Sequence, residues 1–137
     1  AIEVDAGEQP VDRAEAHLDF DPAYLRVVNA DGIEVDAIRE VTSSLPTVLE
    51  NAADNSQGTI DYAARVSAEQ PISGTITLAL IRLKAITETV GTGLSFAFTP
   101  LRKTDVRFED ASVLGDHTDG NVLVMACRGR IYLPLVR

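Results

Sequence analysis

The clearest pattern in the chain is a strict alternation of apolar and polar residues from Ala14 to Asp21. One side of this stretch is apolar and is formed by Ala14, Ala16, Leu18 and Phe20. A period of two predicts a β-strand with one face on a core and the other in water. We therefore expect His17, which lies on the polar side beside Asp19, to be exposed. Pro22 ends the strand because it has no N–H to donate to a ladder.

Similar short patterns recur along the chain, separated by turn-forming residues. We predict strands over residues 1–7, 47–51, 59–66, 74–86, 94–99, 104–106, 112–115 and 122–127, in addition to 14–21. A short helix over 45–51 is the alternative for one of them. The nearly continuous apolar run of 74–86 is typical of a central strand, and we predict turns over 8–12, 29–32, 53–58 and 91–93. About nine strands in 137 residues predict one all-β domain, an antiparallel sandwich or jelly roll.

The charge balance narrows the choice of partners. The formal net charge is −9, which repels nucleic-acid phosphates and anionic membrane surfaces. No apolar run is long enough to span a membrane. The first residues do not form a secretion signal, so we expect either a cytosolic protein or one whose leader has been removed.

The sequence has no catalytic motif, and we predict that the protein is not an enzyme. His17 and His117 are the only histidines, and neither lies in a recognisable triad context. Cys127 is the only cysteine, so it has no partner within the chain. It is either a small buried apolar residue or an intermolecular bridge.

Calcium is the one cofactor that the sequence suggests. Asp116, Asp119 and Asn121 offer oxygen ligands in one loop, and Asp54 and Asn55 offer them in another. Neither loop follows the EF-hand pattern, and ordinary turn chemistry is the alternative explanation for both. No other cofactor is expected.

The order of several motifs resembles the cohesin family. These motifs are AEAHLDFDPAYLRVV, DNSQGTIDYAA, SGTITLALIRLKAI, LSF, TDV, SVLG and DGNVLV. The resemblance implies a nine-stranded jelly-roll sandwich, similar in fold to family 3 carbohydrate-binding modules. It also implies an exported recognition domain at the cell surface that binds a calcium-loaded dockerin. Carbohydrate binding is a lesser alternative, because the chain has no Trp and few tyrosines.

The chain departs from the family pattern at both ends. The strand that opens the family fold is missing, and Ala1 falls within the segment that resembles the second strand. After the last family motif the chain continues with a short apolar tail. We therefore divide the sequence into a cohesin-like sandwich over residues 1–127 and a tail strand over 128–137.

The tail has the composition of a buried strand. Ile131, Leu133 and Leu135 alternate with Tyr132, Pro134 and Val136, and arginines flank the run at 128, 130 and 137. We predict that it acts as a donor strand, with Ile131, Tyr132, Leu133, Leu135 and Val136 as the inserted residues and Arg130 and Arg137 at its ends. Burying each large apolar side chain contributes about 1.5–3 kcal/mol before ordering costs.

Three readings of the tail remain open. It fills the groove of its own copy or pads another edge, it fills the groove of the next copy, or the chain is a fragment whose first strand was removed. The first and last strands of the family fold run parallel, and a parallel return needs a crossover of about a dozen residues. This favours a head-to-tail filament of identical copies. A single receptor domain for a dockerin-like partner is the alternative.

Overall fold

The structure, a computed structural model, describes residues 1–39 and 43–125. Short β-strands, all paired antiparallel, make up the regular structure of these residues. They are β1 (Ile2–Asp5), β2 (Arg13–Phe20), β3 (Leu25–Val27), β4 (Thr47–Asp54), β5 (Thr59–Arg65), β6 (Thr75–Ala79), β7 (Leu83–Ala85), β8 (Thr89–Phe96), β9 (Phe98–Thr99), β10 (Arg102–Lys103), β11 (Asp105–Phe108), β12 (Ala111–Ser112) and β13 (Gly120–Val124). The predicted all-β antiparallel sandwich is confirmed.

The larger sheet is organised around β2, the strand with the clearest sequence pattern. Its order is β12-β11-β2-β5-β4, and β8 pairs with the far end of β2 and carries β13 on its other side. Ala14 lies opposite Ala64, and Ala16 lies opposite Tyr62. All four side chains are buried, so the apolar face of β2 and β5 lines the core as its period of two predicts.

The second layer is formed by two strand pairs, β1 with β6 and β3 with β7. The buried side chains of both layers belong to one hydrophobic cluster, which includes Ile2, Leu25, Val27, Ile60, Tyr62, Ile76 and Leu78. The described residues contain no helix that could span a membrane.

Three sequence predictions about strands and turns are wrong. The predicted strand over 94–99 is divided after Phe96, because residues 98 and 99 form β9 and pair with β10. Residues 91–93 form no turn, because β8 runs through them and pairs with β13. Neither Gly91 nor Gly93 has a positive φ, and Thr92 is buried. The run 74–86 is not one central strand, since β6 pairs with β1 and β7 pairs with β3. A break at residues 80–82 lets the chain change partners.

The structure also decides the predictions for residues 45–58, whereas those for the C-terminal residues cannot be compared with it. The alternative of a helix over 45–51 is wrong, because β4 occupies residues 47–51. The predicted hairpin loop is present but covers only residues 55–58, since residues 53 and 54 belong to β4. Cys127 and the tail over 128–137 lie outside the described residues. The domain boundary at residue 127 therefore stays a prediction.

Gly58 is the residue of this hairpin that tolerates replacement least. Its φ is +74°, and an added Cβ would lie 2.0 Å from the carbonyl oxygen of Phe20. We expect Gly58→Ala to lower the free energy of unfolding by more than about 2 kcal/mol, because left-handed strain and a backbone clash add together. Denaturant unfolding measures the change.

Two matched glycines separate the two causes. Gly7 has a positive φ but open space around it, and Gly115 has open space and no positive φ. We expect Gly7→Ala to cost about 1–2 kcal/mol and Gly115→Ala to stay within about 0.5 kcal/mol. Equal effects at Gly58 and Gly7 would contradict the predicted clash.

Candidate protein-binding groove

An open groove of about 590 Å³ runs between β1 and the segment of residues 113–120. Its floor consists of apolar side chains from both layers of the sandwich, among them Ala14, Ala16, Leu18, Leu78, Leu94, Phe96 and Val106. Val4, Leu94, Phe96, Val113 and Leu114 pack against the core but are only partly buried. The hydrophobic core therefore reaches solvent along this flank.

One wall of the groove is a β-strand with an unpaired edge. Among the described residues β1 pairs only with β6. The Ala6 amide donates to the Gly74 carbonyl at 2.9 Å, so alternation along the strand directs the backbone groups of Glu3 and Asp5 the other way. Such an edge is a template for another extended segment.

The rim of the groove is acidic. Glu3 and Asp5 are exposed on the β1 side, and Asp116 and Asp119 are exposed on the opposite side. Glu15 also touches the groove, but its carboxylate is engaged by Arg13 at 3.3 Å. No lysine or arginine is among the described residues that line the groove.

A second polar cluster lies on the outer face of the larger sheet, where the prediction for His17 is wrong. His17 is only 5% exposed, because the β9–β10 hairpin covers it. The Ala97 amide donates to the His17 carbonyl at 2.7 Å, and the Thr104 hydroxyl accepts a hydrogen bond from the His17 amide at 3.0 Å. The period of two gives the correct face of the sheet but not what covers that face.

Arg102 fixes this hairpin to the sheet. Its Nε donates to Asp61 Oδ1 at 2.7 Å, a second nitrogen pairs with Asp19, and a third donates to the Leu18 carbonyl at 2.9 Å. Asp61 Oδ1 also lies 2.6 Å from His17 Nδ1. Burial by itself lowers the pKa of Arg102, but Asp19 and Asp61 outweigh this effect and raise it. The side chains of this cluster satisfy one another.

No family model matches the sequence, and no curated protein matches it. The structure is similar to a type II cohesin domain from the cellulosome of Acetivibrio cellulolyticus, with a TM-score of 0.70 and 14% identity over 89% of this chain and 82% of that one. It is also similar to the type II cohesin dyad from the adaptor ScaA scaffoldin of that organism, with a TM-score of 0.70 and 15% identity over 88% of this chain and 42% of the dyad.

The fold is cohesin-like. A further match, with a TM-score of 0.62 and 16% identity, is a chain of a type II cohesin–X–dockerin complex from the same organism, covering 82% of this chain and 78% of that one. The family resemblance predicted from the order of motifs is thus confirmed for the fold.

In this cohesin-like sandwich the candidate calcium ligands have other contacts. Asp119 Oδ1 accepts a hydrogen bond from the Phe96 amide at 2.9 Å, and the Asn121 side chain lies over Gly91. Asp116 and Asp119 share the groove wall with His117, which packs against Phe96 and Phe98. The described residues contain no group of three or more His, Cys, Asp and Glu that could hold a metal. Calcium binding at Asp116, Asp119 and Asn121 stays a prediction.

In the second candidate loop the side chains of Asp54 and Asn55 form hydrogen bonds that hold the turn. Asp54 Oδ1 accepts from the Ser56 hydroxyl and amide and from the Gln57 amide at 2.6–3.0 Å. The Ser56 hydroxyl, followed by these amides, lowers the pKa of Asp54. Asn55 binds both the amide and the carbonyl of Val27, at 2.6 and 3.0 Å. Both side chains thus hold the loop in place.

No motif in the sequence points to Arg102. The only signal was indirect, since the alternation placed Asp19 and Asp61 on the polar sides of two strands. Nothing in the pattern indicates which basic residue pairs with these two carboxylates, because Arg102 is 83 residues from Asp19 in sequence. The predicted donor residues all lie outside the described part of the chain. They are Ile131, Tyr132, Leu133, Leu135 and Val136, with Arg130 and Arg137 at the ends.

Removing Arg102 should loosen the hairpin of the cohesin-like sheet. We expect Arg102→Met to lower the free energy of unfolding by about 1–3 kcal/mol, because Asp19 and Asp61 lose a charged hydrogen-bond partner. Amide hydrogen exchange at His17 and Ala97 should become faster. Lys103→Met is the matched control on the same hairpin, and it should stay within about 0.5 kcal/mol. Identical behaviour of the two variants would refute the role given to Arg102.

Proposed function

We propose that the chain is a non-catalytic, extracellular protein–protein interaction module that assembles head to tail. Residues 131–136 of one copy insert beside β1 of the next copy and complete its sandwich. The observation that carries the proposal is the groove, which combines an unpaired strand edge with an open apolar floor. An extended apolar segment is the kind of ligand that satisfies both features.

The length of the tail fits the length of the groove. Residues 1–6 all line it, and the predicted donor segment also has six residues. At about 3.3 Å per residue, each spans about 20 Å. Ile131, Leu133 and Leu135 would then face the floor, and Tyr132, Pro134 and Val136 would face solvent.

The position of β13 favours donation to another copy. Gly120, the first residue of β13, lines the groove, so a tail that turned back directly after Val124 would run antiparallel along β13. The resemblance to the cohesin family implies that the first and last strands run parallel, and a parallel return needs a crossover of about a dozen residues. Only six residues separate Val124 from Ile131, so a segment that enters in the parallel direction comes from another copy. A donor and an acceptor at different places on one copy form a heterologous contact, which propagates into a fibre unless it closes into a ring.

The cohesin-like fold supports the wider class of function. One similar structure is described as a type II cohesin–X–dockerin complex, and the first match comes from a cellulosome. A monomeric receptor for a dockerin-like domain is therefore the second candidate. An extracellular or cell-surface location suits both candidates.

Two apolar-to-acid substitutions in the tail test the proposal. We expect the native chain to scatter light increasingly with concentration and to form fibres in negative-stain electron microscopy. Leu133→Asp with Leu135→Asp should abolish both signals, because two carboxylates cannot be buried on an apolar floor. The matched control is Val90→Asp with Leu101→Asp, since these side chains are 98% and 95% exposed and the change of charge is equal. The control should still assemble.

The alternatives give different results in the same experiment. A native chain that stays monomeric at every concentration overturns the proposal. If the tail variant of such a monomer also unfolds at lower denaturant than the control, the tail fills the groove of its own copy. A monomer that retains a purified type II dockerin on a column favours the receptor function.

A further inference from the structure

We propose that the acidic rim selects the donor strand by charge. In this arrangement Glu3 and Asp5 on one wall, and Asp116 and Asp119 on the other, pair with the arginines at 128, 130 and 137 that flank the inserted segment. The inference rests on the proposed strand donation and adds to it a rule for which strand is accepted.

The rim has a surplus of negative charge that the described residues do not neutralise. Its four exposed carboxylates lie along both walls of one groove, and no lysine or arginine of residues 1–39 and 43–125 lines that groove. By contrast, Asp19, Asp61 and Asp105 each have an arginine partner elsewhere on the sandwich. An uncompensated rim attracts a basic ligand and repels an acidic one.

The tail is the part of the chain with the opposite charge. All 21 acidic residues and 9 of the 12 basic residues lie in residues 1–125, which gives that part a formal charge of −12. The remaining three basic residues are arginines, and they give residues 126–137 a formal charge of +3. Donor and acceptor are therefore complementary in charge as well as in apolar pattern.

Selection has a concrete competitor, which is the outer edge of β4 over residues 47–50, since further along this edge the Ala53 amide already donates to the Asp36 carbonyl at 2.8 Å. This strand pairs only with β5 among the described residues, and Val48 and Leu49 on it are exposed. An apolar groove alone would also accept this edge from a second copy. Glu50 and Asp54 lie on β4, so the acidic rim repels it. A single exposed ion pair contributes little, but several aligned charges determine partner choice and association rate.

The experiment uses three full-length variants and measures the concentration at half-maximal light scattering. The tail variant is Arg128→Glu, Arg130→Glu and Arg137→Glu. The rim variant is Glu3→Arg, Asp5→Arg and Asp116→Arg. The third variant combines both sets of substitutions. Exposed bases away from the groove give the control Arg65→Glu, Lys84→Glu and Lys103→Glu, which changes the net charge as the tail variant does.

We expect the tail and rim variants each to need at least about tenfold more protein for assembly, and the combined variant to recover most of this loss. The native chain should also assemble less well at about 1 M ionic strength than at about 0.01 M, because the Debye length falls from about 30 Å to about 3 Å. The inference is overturned if the tail variant and the control behave alike, or if the combined variant recovers nothing. In that case a native chain that still assembles through Leu133 and Leu135 leaves the strand donation intact. A native chain that never assembles overturns both.

Discussion

The outer edge of β1, which pairs with no strand among residues 1–39 and 43–125, is the constraint on which the rest of the structure depends. A strand edge leaves backbone donors and acceptors without partners, and here the same edge borders an opening into the hydrophobic core. Closing the opening with one more extended segment satisfies both at once, since the backbone gains a ladder and the floor gains apolar side chains. Substitution of side chains in the groove cannot supply hydrogen-bond partners to the backbone edge of β1.

The part of the floor that β2 forms at residues 14 and 16 has small side chains, which leaves space for larger side chains from another segment. Ala14 and Ala16 of β2 line the groove, and both are buried to 1% exposure. On the neighbouring strand β5 the larger Tyr62 lies opposite Ala16, and Ile60 lies opposite Leu18. Because interiors alternate large and small residues across facing layers, two alanines under an open groove leave room for large apolar side chains on a segment above them. The proposed donor strand, in which Ile131, Leu133 and Leu135 alternate with other residues, would supply such side chains.

Strand periodicity was enough to predict the sandwich, because β2 and β5 are half-buried and their alternation is strict. It was not enough where burial comes from a distant element. His17 lies on the polar side of β2, as its position requires, and becomes buried only because Arg102 and the β9–β10 hairpin cover it. Glycine is also ambiguous, since Gly91 and Gly93 are typical turn residues but lie in β8, which pairs with β13 beside it. The charge of the groove's rim depends on which carboxylates the fold leaves without a basic partner, and strand periodicity carries no signal for that.

The two polar regions of the sandwich differ in a way that bears on function. Around Arg102 the acceptors, which are Asp19, Asp61 and the Leu18 carbonyl, are already occupied by the guanidinium, so a ligand there has to displace strong contacts before it gains any. Around the groove the outer edge of β1 and the apolar floor lack partners within the described residues, and none of these residues that line the groove is a lysine or arginine that could neutralise the rim carboxylates. A partner that binds the groove displaces few existing contacts, and it gains backbone hydrogen bonds, buried apolar area and charge pairing. This asymmetry favours the groove over the face covered by the hairpin as the principal interaction surface.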